Sequence, residues 1–367
     1  MNLQFFEIIS IVGIAQGFFL SGLLIFKKKN KTANYLLSTL VALVSLILSY
    51  NLFVRTGLLA EEYSLLVFVN TVVFLFPALH ILYALFLLAP AQRFTIRHLF
   101  HFIPFVSINL LCIPIYLKNE TALSVFNTIS NLNINNLASS IYSMVVMIFV
   151  LQLLKSHTQK IKMSFSSIER INLNWLKIIT SVIIVFDVLF ILLLYIPQFF
   201  NFDPTIPNLI LIFLMVLLIF ITAIFGFRQP EIFQTFLPPS EPVKYKTSGL
   251  SETKALEIEN KLVEFLNKEK PYLNENLNID ELSGHLNVTP AYLSQVLNER
   301  LGVNFYTLIN TCRIEEAKRL IGSSEYSNIK LEAIAYEVGF KSKSTFNAAF
   351  KKITDMTPSQ FRAGIQY

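Results

Sequence analysis

Cysteine is nearly absent from this chain: its 367 residues hold only Cys112 and Cys312. Cys112 lies in an apolar run and Cys312 in a helical stretch far downstream, so the two fall in different compartments and no disulfide framework is expected. Histidine is just as sparse, and His98, His101, His157 and His285 are scattered without the spacing that gathers a metal ion. No glycine-rich phosphate loop, histidine-centred phosphotransfer block or nucleophile beside a base is present. The expectation is therefore a protein that is not an enzyme and takes no metal or cofactor. The lack of a kinase-like or receiver-like segment further implies that any signal passes within one polypeptide. Charge is also scarce, at 15% of residues, against 54% hydrophobic residues, 34 phenylalanines and a mean hydropathy of +0.56. That balance is too apolar for a soluble protein of ordinary surface.

The apolar residues are gathered in the first 230 positions, in runs of around twenty that match the thickness of a bilayer. Seven such runs are expected to span: about 3–26, 34–54, 63–89, 99–117, 137–154, 175–197 and 206–227. The first has neither a basic start nor a small-residue cleavage site, and reads as a retained anchor. Basic residues in short connections set the orientation. With the N-terminus outside, Lys27, Lys28, Lys29, Lys31, Arg93, Arg97, Lys155, Lys160, Lys162, Arg170 and Arg228 face inward, while only Arg55 and Lys118 face out. Seven crossings then place the tail in the cytoplasm, on the inner face of a multi-pass inner-membrane protein. Ionisable or amide side chains inside the runs cost roughly 2.5–3.5 kcal/mol each when charged at mid-membrane, so they call for a reason. Glu7, Gln16, His80 and Asp187 are such residues. They are expected to form a pocket for a small molecule or a proton, or else to hydrogen-bond between helices.

Residues 231–251, with Pro238, Pro239 and Pro242, read as a semi-rigid linker. Ser251 is placed to cap a helix from Glu252 to about Lys268. Its buried side is expected to carry Leu256, Leu262, Val263, Phe265 and Leu266, packed on the domain that follows in preference to a dimerising coil.

That domain, 252–367, holds a repeated pattern. Ile334, Ala335 and Val338 share one helical face, and Phe346, Ala349 and Phe350 share the next. Gly339 stands between them, where a left-handed corner costs glycine little. Ile279, Leu282, Leu286 and Val288 correspond to Leu331, Ile334, Val338 and Phe340 at a constant offset, and Leu293 and Leu297 correspond to Phe346 and Phe350. Ser283 replaces Ala335, and Asn287 replaces Gly339 at the corner. Thr289 and Pro290 read as an N-cap and first helical position. Two helix-turn-helix units result, joined by a helical stripe of Phe305, Leu308, Ile309, Cys312, Ala317, Leu320 and Ile321. A spacer of that length, roughly 25 Å, can set two helices into major grooves about 34 Å apart. Lys341, Lys343, Lys351 and Lys352 lie where phosphates would be.

The pieces YLSQVLNERLG (Tyr292–Gly302), CRIEEAKRLI (Cys312–Ile321), IAYEVGFKSKSTFNAAFKK (Ile334–Lys352) and MTPSQFR (Met356–Arg362) together resemble the DNA-binding domain of AraC/XylS-type transcription regulators. The resemblance covers about a third of the chain. It implies an all-α domain that binds duplex DNA, with base-reading positions Ala291, Ser294, Gln295 and, alongside, Asn298 in the first unit. In the second they are Lys343, Ser344, Thr345, Asn347 and Ala348. Gln295 and Asn347 have the amide geometry that pairs with adenine, and Lys343 reaches guanine acceptors. No arginine occupies either face, so modest base discrimination is expected, helped by dimerisation or DNA shape. Asp355 stands where a glycine is common before Met-Thr-Pro, and a differently built turn is expected there.

The combined expectation is all-α: a seven-helix transmembrane bundle over 1–230 and a cytoplasmic double helix-turn-helix domain. It describes a homodimeric one-component regulator in contact with operator DNA, a lipid bilayer and a small-molecule or membrane stimulus. The alternatives are spans that only anchor, with control by a partner or by proteolysis near Pro238–Pro242, and a permease-like protein with a regulatory tail.

Overall fold

The structure is a computed structural model and describes residues 3–28, 30–59, 63–89, 92–117, 124, 134–169, 171–200, 203, 205–227 and 250–365. Nearly all of the linker, and Lys29, Lys118, Arg170 and Arg228 of the orientation argument, lie outside the described residues. No strand occurs among the described residues, and the architecture is all-α, with one isolated β-bridge between Phe165 and Asn278. The chain divides into two compact units, Met1–Lys155 with Leu173–Thr235, and Ser156–Asn172 with Phe236–Tyr367.

The first unit is built from α1 (Leu3–Phe26), α2 (Lys31–Arg55), α3 (Tyr63–Val72), α4 (Leu75–Leu88), a 3₁₀ turn (Ile96–Phe102), α5 (Ile103–Leu111), α6 (Ile113–Tyr116), α7 (Ile134–Ser164, whose last turns belong to the second unit), α8 (Asn174–Phe200) and α9 (Thr205–Phe227). Among the described residues six stretches are long and apolar enough to cross a membrane, one fewer than the sequence pattern suggests. The difference lies in 99–117, where proline breaks the run. Pro104 and Pro114 each open a new short helix, because proline has no N–H to give and its ring clashes with the carbonyl four residues back. Pro77 acts likewise between α3 and α4, which are separated at Val73 and Phe74. Leu82, Tyr83 and Leu87 of α4 form the centre of the core with Leu24, Leu37, Val150, Leu154 and Leu176. Small residues draw α1 onto its neighbours. A Cβ at Gly17 would lie 1.9 Å from Ser45 Oγ, and one turn on, the Ser21 and Ser38 hydroxyls are 2.8 Å apart.

The second unit contains α10 (Glu252–Glu269), α11 (Ile279–His285), α12 (Pro290–Glu299), α13 (Phe305–Ile321), α14 (Leu331–Glu337), α15 (Lys343–Thr354) and α16 (Pro358–Ala363). α10 is capped by Ser251, whose hydroxyl accepts from the Lys254 N–H at 3.3 Å. Its buried face is Ala255, Ile258, Leu262 and Leu266, whereas Leu256 and Val263, expected inside, are about half exposed. The true stripe keeps the i, i+3, i+4 spacing from Ala255, a residue too small to announce itself by hydropathy. Spacer helix α13 serves two cores. Phe305 and Ile309 close the first with Leu262, Leu282, Leu293 and Leu297, while Ile314, Ala317 and Ile321 close the second with Ile334, Val338, Phe346 and Phe350. Truncating a wholly buried leucine such as Leu282 or Leu293 costs about 2–5 kcal/mol.

Both corners are built alike. Asn287 at φ 57 and Gly339 at φ 92 are left-handed. At the first, the Val288 N–H donates to the Ser283 carbonyl at 3.0 Å and the Asn287 N–H to Gly284 at 3.1 Å. At the second, Phe340 donates to Ala335 at 2.9 Å and Gly339 to Tyr336 at 3.0 Å. This paired bonding is the Schellman arrangement, with Val288 and Phe340 as its apolar closing residues. Asp355 is left-handed as well, at φ 58, so the turn expected to differ keeps the conformation a glycine would supply and puts an aspartate in it.

The two corners differ in tolerance. A Cβ on Gly339 would meet the Tyr272 and Leu273 carbonyl oxygens, each at 2.7 Å. Gly339→Ala is expected to destabilise the second helix-turn-helix by about 3 kcal/mol or more through clash plus strain, and Asn287→Ala the first by only about 1 kcal/mol. Amide hydrogen exchange of α14–α15 and α11–α12 in the full-length protein measures both, and equal losses would contradict the steric account.

Candidate functional site

The outer faces of α12 and α15 are the second helices of the two units, and each begins on a side-chain cap. Thr289 Oγ1 accepts from the Tyr292 N–H at 3.2 Å, and Ser342 Oγ accepts from the Thr345 N–H at 3.2 Å. On α15, Lys343, Ser344, Asn347, Ala348, Lys351 and Lys352 are all exposed, forming one continuous face opposite buried Phe346 and Phe350. Three ammonium groups, a hydroxyl and an amide on an open helical face can contact phosphates and base edges. Thr345 lies at the edge of this surface. It is half-buried, with its hydroxyl 3.1 Å from Ser342 Oγ, so it supports the cap. Lys341 donates to Asn276 Oδ1 at 2.6 Å and ties the second unit to the turn before α11.

The first face is smaller than the sequence implies. Ala291 is exposed, and Ser294 and Asn298 are half-buried, with the Asn298 amide donating to the Ser294 carbonyl at 2.7 Å. Gln295 is buried, and its amide donates to Glu299 Oε2 at 2.8 Å. It lines a hollow shared with Leu250, Glu252 and Ala255, because the start of α10 covers it. The placement of Gln295 as an open adenine reader is therefore corrected by a helix that lies well before it in sequence. Arg300 anchors that cover, donating to Glu259 Oε2 at 2.5 Å and pairing with Glu252.

One functional group escaped the sequence pattern. Arg313, on α13, is 1% exposed. Its Nε donates to the Tyr272 carbonyl at 2.7 Å and Nη2 to the Asn274 carbonyl at 2.8 Å. The guanidinium carbon lies 5.6 Å from the Phe340 ring centre. Burial pulls its pKa down to about 10, which leaves it a cation at neutral pH. Arginine inside an apolar stripe gives no local signal, since the acceptors come from other segments.

In the first unit, His80 and Asp187 do line one cavity, of about 160 Å³, together with Ser139, Ser140 and Ser143. His80 Nε2 pairs with Thr180 Oγ1 at 3.0 Å, and Ser143 and Asp187 both line the cavity. Asp187 Oδ2 is buried and has no hydrogen-bond partner among the described residues. Glu7 and Gln16 do not belong to this cavity. Glu7 lines a separate small hollow with Ser10, Asn51 and Arg55, and Gln16 is half-buried elsewhere on α1. The single pocket expected from the four residues is thus two places, because helix packing decides which polar positions face each other. Among the described residues no three His, Cys, Asp or Glu side chains gather as a metal site.

Comparison with known proteins agrees with this geometry. A family model described as a helix-turn-helix domain matches residues 282–364. An uncharacterized HTH-type transcriptional regulator of Staphylococcus aureus is 36% identical over 91 residues, which is 25% of this chain and 12% of that protein. The arabinose operon regulatory protein of Escherichia coli is 29% identical over 93 residues, or 25% of this chain and 31% of that one. The C-terminal domain of AraT, a response regulator from Geobacillus stearothermophilus, is similar at 28% identity and a TM-score of 0.27, covering 33% of this chain and 91% of that domain. This chain thus spans under a third of the length of these two curated relatives.

Lys352→Ala is expected to weaken binding evenly across duplex sequences and to lower the slope of log affinity against log salt by about one. Asn347→Ala should instead cost about 1–3 kcal/mol at a single base position, and Gln295→Ala should leave base preference unchanged. Titrations of single-base variants of a selected duplex at several salt concentrations separate the three.

Proposed function

From the premise that residues 282–364 are a helix-turn-helix domain of AraC type, belonging to a DNA-binding transcription regulator, we propose that the whole chain is a membrane-embedded one-component regulator whose first unit controls its DNA reader. The observation that carries this is the pairing, in one polypeptide, of two capped recognition helices with six helical stretches of membrane-spanning length and apolarity among the described residues. The DNA-reading residues are Lys343, Ser344, Asn347, Ala348, Lys351 and Lys352, with Ala291, Ser294 and Asn298 as a smaller first face.

The interrupted stretch 96–116 crosses the bilayer as the remaining span in this proposal. Its outward side chains, Ile96, Phe100, Leu110 and Leu111, are 60% or more exposed, as suits an acyl-chain environment. Were it not to cross, Lys155, Lys160 and Lys162 would face outward, against the preference for basic residues inside. With it, the C-terminal domain is cytoplasmic and the N-terminus is outside. Two such chains reading a pseudo-palindromic site form a dimer in this scheme.

The cavity around Asp187 is the sensing site. Its volume of about 160 Å³ compares with the engineered apolar cavity of about 150 Å³ that accepts benzene. The ligand class that fits has an apolar body of about that size and one hydrogen-bond donor for Asp187 Oδ2, whose buried acceptor lacks a partner. A ligand that binds one arrangement of helices better shifts the population toward it.

Two experiments test the reading. The full-length protein in lipid nanodiscs is expected to enrich particular duplexes from a random pool at physiological salt, and a pool that stays random would defeat the DNA assignment. Asp187→Leu is expected to abolish the stimulus response of a reporter gene while the purified protein keeps its duplex affinity. A reporter that still responds would remove the cavity from the mechanism.

A further inference from the structure

The segment Ser156–Asn172 connects α7 to α8, yet it belongs to the same compact unit as the DNA reader. It is attached there in three ways. Its backbone pairs with the turn before α11: Phe165 and Asn278 form an antiparallel bridge, the Ser166 N–H donates to the Leu277 carbonyl at 3.3 Å, and the Ser166 hydroxyl donates to the same oxygen at 2.6 Å. Its apolar side chains Ile161, Ile168 and Ile171 are buried with Phe165 and Tyr306, and Lys162 Nζ lies 5.6 Å over the Tyr306 ring. Its Ser166 completes the surroundings of Arg313, whose Nη1 lies 3.4 Å from the Ser166 carbonyl and Nη2 3.3 Å from its hydroxyl.

Beyond this anchor the segment reaches the reading surface. Glu169 Oε1 is 3.4 Å from the hydroxyl of Ser342, the N-cap of α15. The first turn of a recognition helix is where base edges are read, and DNA approaches it as a polyanion. A carboxylate held there takes the place of a phosphate and repels the next one. We propose that residues 156–172 are a built-in competitor for DNA: docked, they hold Glu169 at the start of α15, where its charge repels phosphates from a face that is otherwise open, and undocked, they take that charge away. This rests on the reading of the domain as a DNA binder.

The segment is also placed to respond. Two membrane-length helices, α8 and α9, separate it from the C-terminal domain in sequence, so segment and domain lie on the same side of a bilayer whichever way the N-terminus faces. The two helices that frame it, α7 and α8, contribute Ser139, Ser140, Ser143 and Asp187 to the cavity. A ligand bound between α7 and α8 therefore acts on the helices whose ends hold the competitor.

The test is a reversible lock in the full-length protein. Cys112 and Cys312 are replaced by alanine and serine, and Phe165→Cys and Asn278→Cys are introduced. Bridge partners have Cα atoms about 4.5–5.5 Å apart, within the ~4.4–6.8 Å a disulfide spans. The protein in nanodiscs is titrated with a duplex enriched by the full-length chain, before and after oxidation. Oxidised protein is expected to bind about tenfold more weakly or worse, with reductant restoring affinity, as follows when few molecules keep a competent face. Asn278 also caps α11, its Oδ1 accepting from the Glu281 N–H at 2.9 Å, and because both states carry the same substitutions, loss of that cap cancels. Equal affinity with the disulfide confirmed by mass spectrometry, or failure of the disulfide to form, would overturn the proposal. A reduced protein that binds no duplex would sink the DNA reading and this inference with it. Glu169→Ala in the otherwise native chain is expected to tighten binding about threefold or more at low salt, and unchanged affinity there would remove Glu169 from the competition.

Discussion

A guanidinium buried at the middle of a helix is the constraint on which the second unit depends. Taking Arg313 out of water costs several kcal/mol unless its donors are met, and among the described residues no carboxylate is bonded to it. Backbone carbonyls of Tyr272 and Asn274 meet it instead, with the Phe340 ring alongside. Those acceptors come from the turn between α10 and α11 and from just past the second corner. One cation thus ties the first helix-turn-helix to the second at the spacer. Gly339 follows from the same crowding, since a side chain there would strike the Tyr272 and Leu273 oxygens and approach Arg313 Nε at 3.0 Å.

This arrangement makes the spacing of the two reading helices a property of packing more than of helix length. α13 lends its first half to one core and its second half to the other, so neither unit can rotate without disturbing the guanidinium. The faces presented are unequal. α15 offers three lysines and an amide, whereas α12 offers a methyl group and two half-buried polar residues, because α10 covers Gln295. The second helix-turn-helix therefore presents the more basic of the two outer faces.

The first unit solves a different problem with different residues. Apolar surface gives no driving force between helices in lipid, so on the proposal that this unit is membrane-embedded, close approach and hydrogen bonds must hold them. Gly17 against Ser45 and the Ser21–Ser38 pair serve that purpose between α1 and α2. Prolines interrupt the runs near residues 73 and 103–114, and His80, Asp187 and three serines gather around a cavity lined by α4, α7 and α8, apart from the hollow at Glu7. Asp187 Oδ2, an acceptor without a hydrogen-bond partner among the described residues, is costly inside such a unit.

What could be read from the chain alone was whatever repeats at helical spacing or sits at a helix end. The all-α class, the doubled corner at Asn287 and Gly339, the caps at Ser251 and Thr289, and the exposed face of α15 are all of this kind, because caps and corners are local and their residue types are few. The tertiary structure decided what depends on distant segments meeting. Proline at 104 and 114 was visible, but whether it kinks or ends a run depends on packing. Leu256 and Val263 point outward because Ala255 and Ile258 face the core, and Gln295 is covered by a helix that precedes it. Glu7 and Gln16 were grouped with His80 and Asp187 by polarity alone, and the helix faces part them. Arg313 and Ser166 are 147 residues apart in sequence, and no periodicity in either stretch marks the other. Local rules name the elements and their ends; only contact between remote parts settles which polar groups are open, covered or joined.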